Sequence, residues 1–321
     1  MSGDLPRWIN FNVTNRCGRR CLHCSLWKVP ERNPPSIEEW LSAVEGVADW
    51  LGAVRVVFSG GEPLESPLTI PLIERAAARG LHTAVATNGF VVDEALARRL
   101  ADAGLEEANI SLDGFAPTHD RIRGYPGGFA QTLHAIGYLH DAGVRTNVVT
   151  VVMNDNLAEI PELVRYLERD GRVLGVFFQA MAQPFGEFEA RPGWWRTHSL
   201  FPRDAEAVKA LFDELVAMKR ANARINNAEI QLRAMRAYFA NPERFTLAKC
   251  SVDLIGLNIN ADGELGYCVH VPPLGDIREA SVRDLAASPA AEKHRELMKS
   301  CRFNCHLLIN CCFDSAQFVA G

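Results

Sequence analysis

No apolar run in this 321-residue chain approaches the ~20 residues of a membrane-spanning helix, and no signal-peptide pattern opens it. A membrane protein is thereby not indicated, and a cytoplasmic location is expected. Positive charge is not in surplus: 34 Lys and Arg stand against 39 Asp and Glu, a net charge of −5. Neither a nucleic acid nor an anionic membrane surface is therefore indicated as a partner. No Ser/His/Asp constellation of a hydrolase is legible, and His82, His119, His134, His140, His198, His270, His294 and His306 show no ligand-like pairing. Cysteine is missing from the whole stretch between Cys24 and Cys250. Of the nine cysteines, three lie at 17, 21 and 24 and six at 250, 268, 301, 305, 311 and 312. An odd count gathered at the two ends is not a disulfide scaffold and reads as two metal-binding regions.

Cys17, Cys21 and Cys24 form a CxxxCxxC triplet directly after the short stretch Trp8–Val13. Three thiolates so close can hold three corners of a cubic iron–sulfur cluster, with a fourth iron left open to a small ligand. Zinc prefers paired CxxC or Cys/His knuckles with four closed ligands. A zinc site and a redox thiol pair remain the alternatives at this point.

After the triplet, short apolar strands alternate with amphipathic segments. Ser36 and Glu39 form a capping box, and Ile37, Trp40, Leu41, Val44, Val47, Ala48 and Leu51 recur on one helical face. A second helix is expected to be capped by Ser66 and to stop at Gly80. Strands are expected at 8–13, 54–58, 82–86, 107–112, 145–152 and 173–179, with further helices near 93–103, 129–142 and 156–169. Six β/α units imply a parallel sheet, and six are too few to close an eight-stranded barrel. The expected fold is therefore α/β, a partial (β/α)6 TIM-like barrel over residues 1–202. Linking helices over 203–245 and a small C-terminal unit over 246–321, a β-hairpin plus helices, complete the division.

In parallel barrels the chemistry sits on the loops that follow the strands. The triplet follows the first expected strand, Ser59-Gly-Gly-Glu-Pro63 the second and Thr87-Asn-Gly89 the third, while Ser111-Leu-Asp-Gly114 closes the fourth. Gly60 and Gly61 would let the backbone approach a ligand closely, and the Glu62 carboxylate suits an ammonium group. Each motif alone is ordinary turn chemistry. Their collection on one rim beside the triplet is not.

These motifs resemble those of the radical S-adenosylmethionine (SAM) enzymes. The triplet resembles that family's cluster motif, with His23 at its aromatic position. Gly60, Gly61, Glu62 and Pro63 resemble the motif that receives the methionyl amino group, with Asn88 on the neighbouring rim. Ser111 and Asp113 lie where the family contacts the SAM ribose. His119-Asp-Arg-Ile-Arg-Gly124 resembles a recurring HDxxRG segment, which makes Arg123 a partner for the SAM carboxylate. Asn147 or Val149 would line the adenine pocket. The resemblance implies a SAM-binding [4Fe–4S] cluster and reductive cleavage of SAM to a 5′-deoxyadenosyl radical that abstracts a substrate hydrogen atom. Electrons would come from a flavodoxin- or ferredoxin-type reductant. The cofactor carries the difficult step, and the protein orients substrate and excludes water.

Cys250, Leu254–Asn260, the turn at Ala261-Asp-Gly263 and Glu264–Cys268 read as a hairpin with a cysteine at each base. The Cys250-x12-Gly263-x4-Cys268 spacing resembles the opening of the SPASM and twitch extensions of the same superfamily, which hold auxiliary iron–sulfur clusters. The closing cysteines are fewer and differently spaced than in a full SPASM region. One auxiliary [4Fe–4S] cluster on Cys250, Cys268, Cys301 and Cys305 is expected, with two incompletely ligated clusters as the runner-up and a structural zinc site as the alternative. The segment around 180–202, with Phe185, Trp194, Trp195, Arg191 and Arg196, could meet substrate or pack the second unit on the barrel. Only 16 residues precede Cys17, which favours a small-molecule substrate such as a sugar, nucleoside or biosynthetic intermediate. Modification of a ribosomally made peptide is the alternative reading, and a non-enzymatic iron–sulfur electron carrier the third.

Overall fold

A computed structural model describes residues 5–319. Six parallel strands run β1 Trp8–Thr14, β2 Arg55–Gly60, β3 His82–Thr87, β4 Glu107–Ser111, β5 Arg145–Val152 and β6 Val176–Ala180. Between them lie α1 Ile37–Leu51, α2 Thr69–Ala78, α3 Glu94–Asp102, α4 Ala116–Arg123, α5 Gly128–Asp141 and α6 Ile160–Asp170. Helices α7 Ala205–Arg220 and α8 Glu229–Ala240 follow, then α9 Val252–Ile255, β7 Gly256–Ile259, β8 Glu264–Gly266, β9 Gly275–Asp276, α10 Val282–Ala286 and α11 Pro289–Ser300. The expected alternation of parallel strands and helices is present.

Strand β1 shows how the sequence positions the site. Ile9 and Phe11 are fully buried, and the Phe11 ring lies 6.0 Å from Trp40 of α1 and 5.6 Å from Phe58 of β2. Alternation therefore turns Asn10 and Asn12 to the opposite face of the sheet, away from the helices. The capping box of α1 is formed, with Ser36 Oγ accepting from Glu39 N and Glu39 Oε2 from Ser36 N.

The sheet holds nine strands in the order β6-β5-β4-β3-β2-β1-β7-β8-β9. The C-terminal hairpin thus continues the barrel sheet: Trp8–Phe11 pair in parallel with Gly256–Ile259. Its first arm starts later than expected, because Val252–Ile255 forms one helical turn before the strand. Helix α2 starts at Thr69 instead of after Ser66, whose Oγ accepts from Leu68 N in a local turn that competes with capping. Helices α4 and α11 add to the expected set, each carrying Pro in its first turn.

The irregular segment after β6 divides in two. Trp194 and Trp195 pack 5.5 and 5.6 Å from Phe201, so they belong to the apolar core. Arg191 pairs with Glu187 and Arg196 with Glu243. Phe185 reaches the rim, where its carbonyl accepts from Ser25 N at 2.8 Å.

Candidate functional site

The triplet loop lies across the C-terminal ends of the parallel strands, and each thiol meets a different neighbouring segment. Asn88 Nδ2, after β3, lies 3.9 Å from Cys17 Sγ. Arg123 Nη1, at the end of α4, lies 4.0 Å from Cys21 Sγ. The Cys24 thiol faces the Phe185 carbonyl at 3.7 Å. The arginines of the loop are held as well: the Arg19 guanidinium lies 4.1 Å over Phe90 and 4.2 Å over Tyr125.

The two glycines after β2 fix this loop. Gly61 N donates to Thr14 O at 2.7 Å and Glu62 N to Arg16 O at 2.8 Å. A Cβ on Gly60 would sit well under 3.0 Å from Thr14 O, and one on Gly61 equally close to Arg16 O. Gly60 also has φ +130°, a region that L side chains rarely adopt. The close approach expected of these glycines is therefore to the chain leading into Cys17.

Glu62 is bonded from both neighbouring loops. Its side chain is 1% exposed, Oε1 accepts from Leu64 N and Thr87 Oγ1, and Oε2 accepts from Asn88 N at 2.8 Å. Burial pushes its carboxyl up to about 7, against the hydrogen bonds from Asn88, Thr87 and Leu64. The carboxylate is turned inward as a tie between the loops after β2 and β3. Pro63 opens the short 3-10 turn Pro63–Glu65 that follows.

Asp113 is also turned inward. It is fully buried, with Oδ2 accepting from Arg123 Nε at 2.6 Å and Oδ1 from Val151 N at 2.9 Å. Burial pushes its carboxyl up, but Arg123, His23 and His119 outweigh this and hold it below the ordinary value. Arg123 is 7% exposed; burial disfavours its charge, yet Asp113 and Cys21 keep its pKa raised. Asp113 thus positions Arg123. Asn147 is likewise committed, donating to Glu107 and accepting from Asn226. Ser111, at the end of β4, and Val149, its register partner within β5, are half-buried.

His23 has a buried Nδ1 without a partner. Burial and the nearby Arg123 lower its pKa to about 4, so the imidazole is neutral near pH 7. It lines a cavity of about 170 Å³ together with Cys24, Val151, Gln179, Phe185 and His306.

At the other end of the chain, Cys250, Cys268, Cys301 and Cys305 share one neighbourhood. Burial, then the charges of Cys268, Cys250 and Cys301, raise Cys305; burial, then Cys301 and Cys268, push Cys250 up to about 12. Cys312 is fully buried and also close to Cys305, Cys250 and Cys268. Cys311 is turned the other way, its Sγ 3.6 Å from His306 Nε2.

Both thiol sets have the donor chemistry of an iron–sulfur group. Burial pushes Cys17 up to about 11 and raises Cys24, so thiolates persist there only beside a bound cation. No three His, Cys, Asp or Glu side chains among the described residues converge on a single metal ion. A cluster places each cysteine on a separate iron, so its thiols need not converge on one point.

Sequence reasoning missed Asn10, Asn12 and Asn258. The period-2 alternation of Ile9-Asn-Phe-Asn12 and Leu257-Asn-Ile-Asn260 carried the signal.

Residues 11–167 match the radical SAM superfamily, and residues 250–306 match the SPASM iron–sulfur cluster-binding domain. An AdoMet-dependent heme synthase of Nitratidesulfovibrio vulgaris is 33% identical over 168 residues, 51% of this chain and 46% of that protein. A second AdoMet-dependent heme synthase, from Methanosarcina barkeri, is 28% identical over 299 residues, 88% of this chain and 82% of that protein. The PqqA peptide cyclase of Rhizobium meliloti is 34% identical over 162 residues, 50% of this chain and 43% of that protein. The matches to the first and third of these relatives thus span less than half of the relative's own length. The structure of Streptococcus suis SuiB bound to precursor peptide SuiA superposes with a TM-score of 0.71 at 15% identity, over 96% of this chain and 71% of that one, which shows a common fold. The chain carries a radical SAM domain over residues 11–167 and a SPASM region over 250–306, so a SAM-binding [4Fe–4S] cluster, SAM and an auxiliary iron–sulfur cluster are its cofactors.

Proposed function

We propose that this chain is a radical SAM maturase that oxidises a residue within a ribosomally made peptide. The observation that carries the reading is the segment 180–188, which meets the Cys24 thiol on one side and, on the other, His306 and His270 beside the auxiliary cysteines. Phe185 O meets Ser25 N and the Cys24 thiol, the Phe185 ring lies 5.7 Å from His306, and Phe188 O lies 2.8 Å from His270 Nδ1. A substrate at this segment lies between the triplet and the auxiliary cysteines.

When bound, the SAM cluster and SAM supply a 5′-deoxyadenosyl radical that removes a hydrogen atom from an unactivated C–H bond. Cys17, Cys21 and Cys24 would hold that cluster, and Cys250, Cys268, Cys301 and Cys305 the auxiliary one, to which the substrate's remaining electron would pass. Gly60, Gly61 and Pro63 hold the rim on which SAM binds, with Ser111, Val149 and neutral His23 beside it. Asn88 and Arg123 hold the Cys17 and Cys21 sulfurs in place, and Arg123 keeps three further N–H donors for the SAM carboxylate. A flavodoxin- or ferredoxin-type protein would supply electrons in the cytoplasm.

The peptide class takes the place of the small-molecule expectation. It is supported by the likeness to a peptide cyclase and by the lining of the cavity beside Cys24. Gln179, Met181, Gln183 and Phe185 line it, and among the described residues no Lys or Arg does. A ring bearing several carboxylates would need cations there. The test is anaerobic turnover of the reconstituted chain with SAM, dithionite and short peptides encoded beside its gene. 5′-Deoxyadenosine formation coupled to a peptide lighter by two hydrogen atoms is expected. Coupling to a tetrapyrrole or sugar, with none to any peptide, would overturn the reading.

A further inference from the structure

A cleft of about 530 Å³ opens between β1 and the β7–β8 hairpin, within the range of ligand sites, and Cys268, Phe185 and Phe188 form part of its wall. Its floor is a seam of side-chain amides. Asn10 and Asn258 stand opposite each other in the β1–β7 register, and Asn12 follows two residues along on the same face. Resting on the peptide reading above, we propose that this seam binds the main chain of an extended peptide segment through Asn12, Asn258 and Asn10.

Two buried atoms there lack partners: Asn12 Oδ1 and Asn258 Nδ2. Asn12 is 8% exposed, and its Nδ2 donates to Asn15 Oδ1 at 3.3 Å, which leaves Oδ1, packed towards Gly60, as an acceptor without a donor. Asn10 Oδ1 accepts from Ser59 Oγ at 2.7 Å, leaving its Nδ2 as a donor. The seam therefore offers one acceptor and donors from two side chains, and a buried polar atom without a partner is costly until a ligand or water meets it. A peptide unit presents one N–H and one C=O, the complement of this set.

The charges at the mouth are already committed. Arg278 pairs with Asp276, Asp262 Oδ1 accepts from Arg32 N and Asn33 N, and Glu264 Oε2 accepts from Asn260. Among the described residues lining the cleft, Arg32 is the cation without an ion pair. A neutral ligand that both donates and accepts suits this lining; a polycarboxylate does not.

The probe is N-methylacetamide, the peptide unit in isolation, soaked into crystals of the cluster-loaded protein beside a parallel soak in acetate. The expected result is N-methylacetamide on the seam, with its N–H at Asn12 and its C=O at Asn258, and no acetate there. In turnover of a peptide substrate, Asn258→Asp and Asn258→Leu should each raise KM about tenfold and leave kcat within about twofold. Thermal melting of both variants checks that they fold. An empty seam, acetate in its place, binding at crystal concentration only with KM unchanged, or kcat lost in place of KM would each overturn the inference. If no peptide is turned over, the functional reading fails, and the soak still decides the chemistry of the seam.

Discussion

Replacing Gly61 by Ala tests the claim that the loop after β2 fixes the triplet. The backbone at Gly61 has no positive φ, so the effect is steric. The new Cβ would lie well under 3.0 Å from Arg16 O, and the obstacle is backbone, which cannot swing aside as a side-chain tip can. Relief requires the segment entering Cys17 to move, breaking the bonds from Gly61 N to Thr14 O and from Glu62 N to Arg16 O. Two lost backbone hydrogen bonds with partly stranded donors cost about 2–4 kcal/mol together. Gly46→Ala is the control: it lies inside α1 with nothing within 4 Å of the added Cβ. Its effect should have the opposite sign, a gain of about 0.5–1 kcal/mol. Urea unfolding followed by circular dichroism gives both energies, and iron content after anaerobic reconstitution reports on the triplet. Gly61→Ala should lose stability and iron together, whereas Gly46→Ala should keep its iron. Wild-type stability and wild-type iron in Gly61→Ala would refute the reasoning.

Asp113→Asn leaves the buried Arg123 charge without its counter-ion and should cost about 3–5 kcal/mol, with Asp113→Leu/Arg123→Met recovering much of that in urea melts. Glu62 holds its proton to about 7 against 4.5 when unfolded, so its contribution falls as pH rises between those values, by roughly 3 kcal/mol over the full span. His119, lowered to about 4 by burial and Arg123, acts in the opposite sense and loses its contribution as pH falls from 6.5. The wild-type minus Glu62→Gln difference isolates the Glu62 slope, and a flat difference between pH 4.5 and 7 would contradict its inward placement. A Cys17/Cys21/Cys24 triple-Ala chain, reconstituted anaerobically, should retain about four irons for one auxiliary cluster, and about eight would mean two. A folded chain with no iron would remove the auxiliary cluster from the mechanism.

Local spacing made much of this molecule legible. Thiols three and four positions apart must lie near one another on any backbone, so Cys17, Cys21 and Cys24 announced a cluster before any fold was known. Alternating strands and helices announced a parallel sheet, and the rule that chemistry follows the strands placed all four motifs on one rim. The capping box of Ser36 and Glu39 is formed as its spacing required.

What the sequence could not decide is where a polar side chain spends its bonding capacity. Glu62 reads as an open carboxylate until β3 is brought alongside and Thr87 and Asn88 take its oxygens. Asp113 reads as a ribose contact until α4 folds back and delivers Arg123 to it. Gly60 and Gly61 are legible as places of close approach, but only the paired β1 and β2 show that the approach is to Thr14 and Arg16. The same holds for the asparagine seam, which exists only because β7 joins the far edge of β1. Motif identity follows from covalent spacing, which the chain carries everywhere. Partnership follows from register between strands remote in sequence, which burial and backbone pairing settle only when the chain has folded.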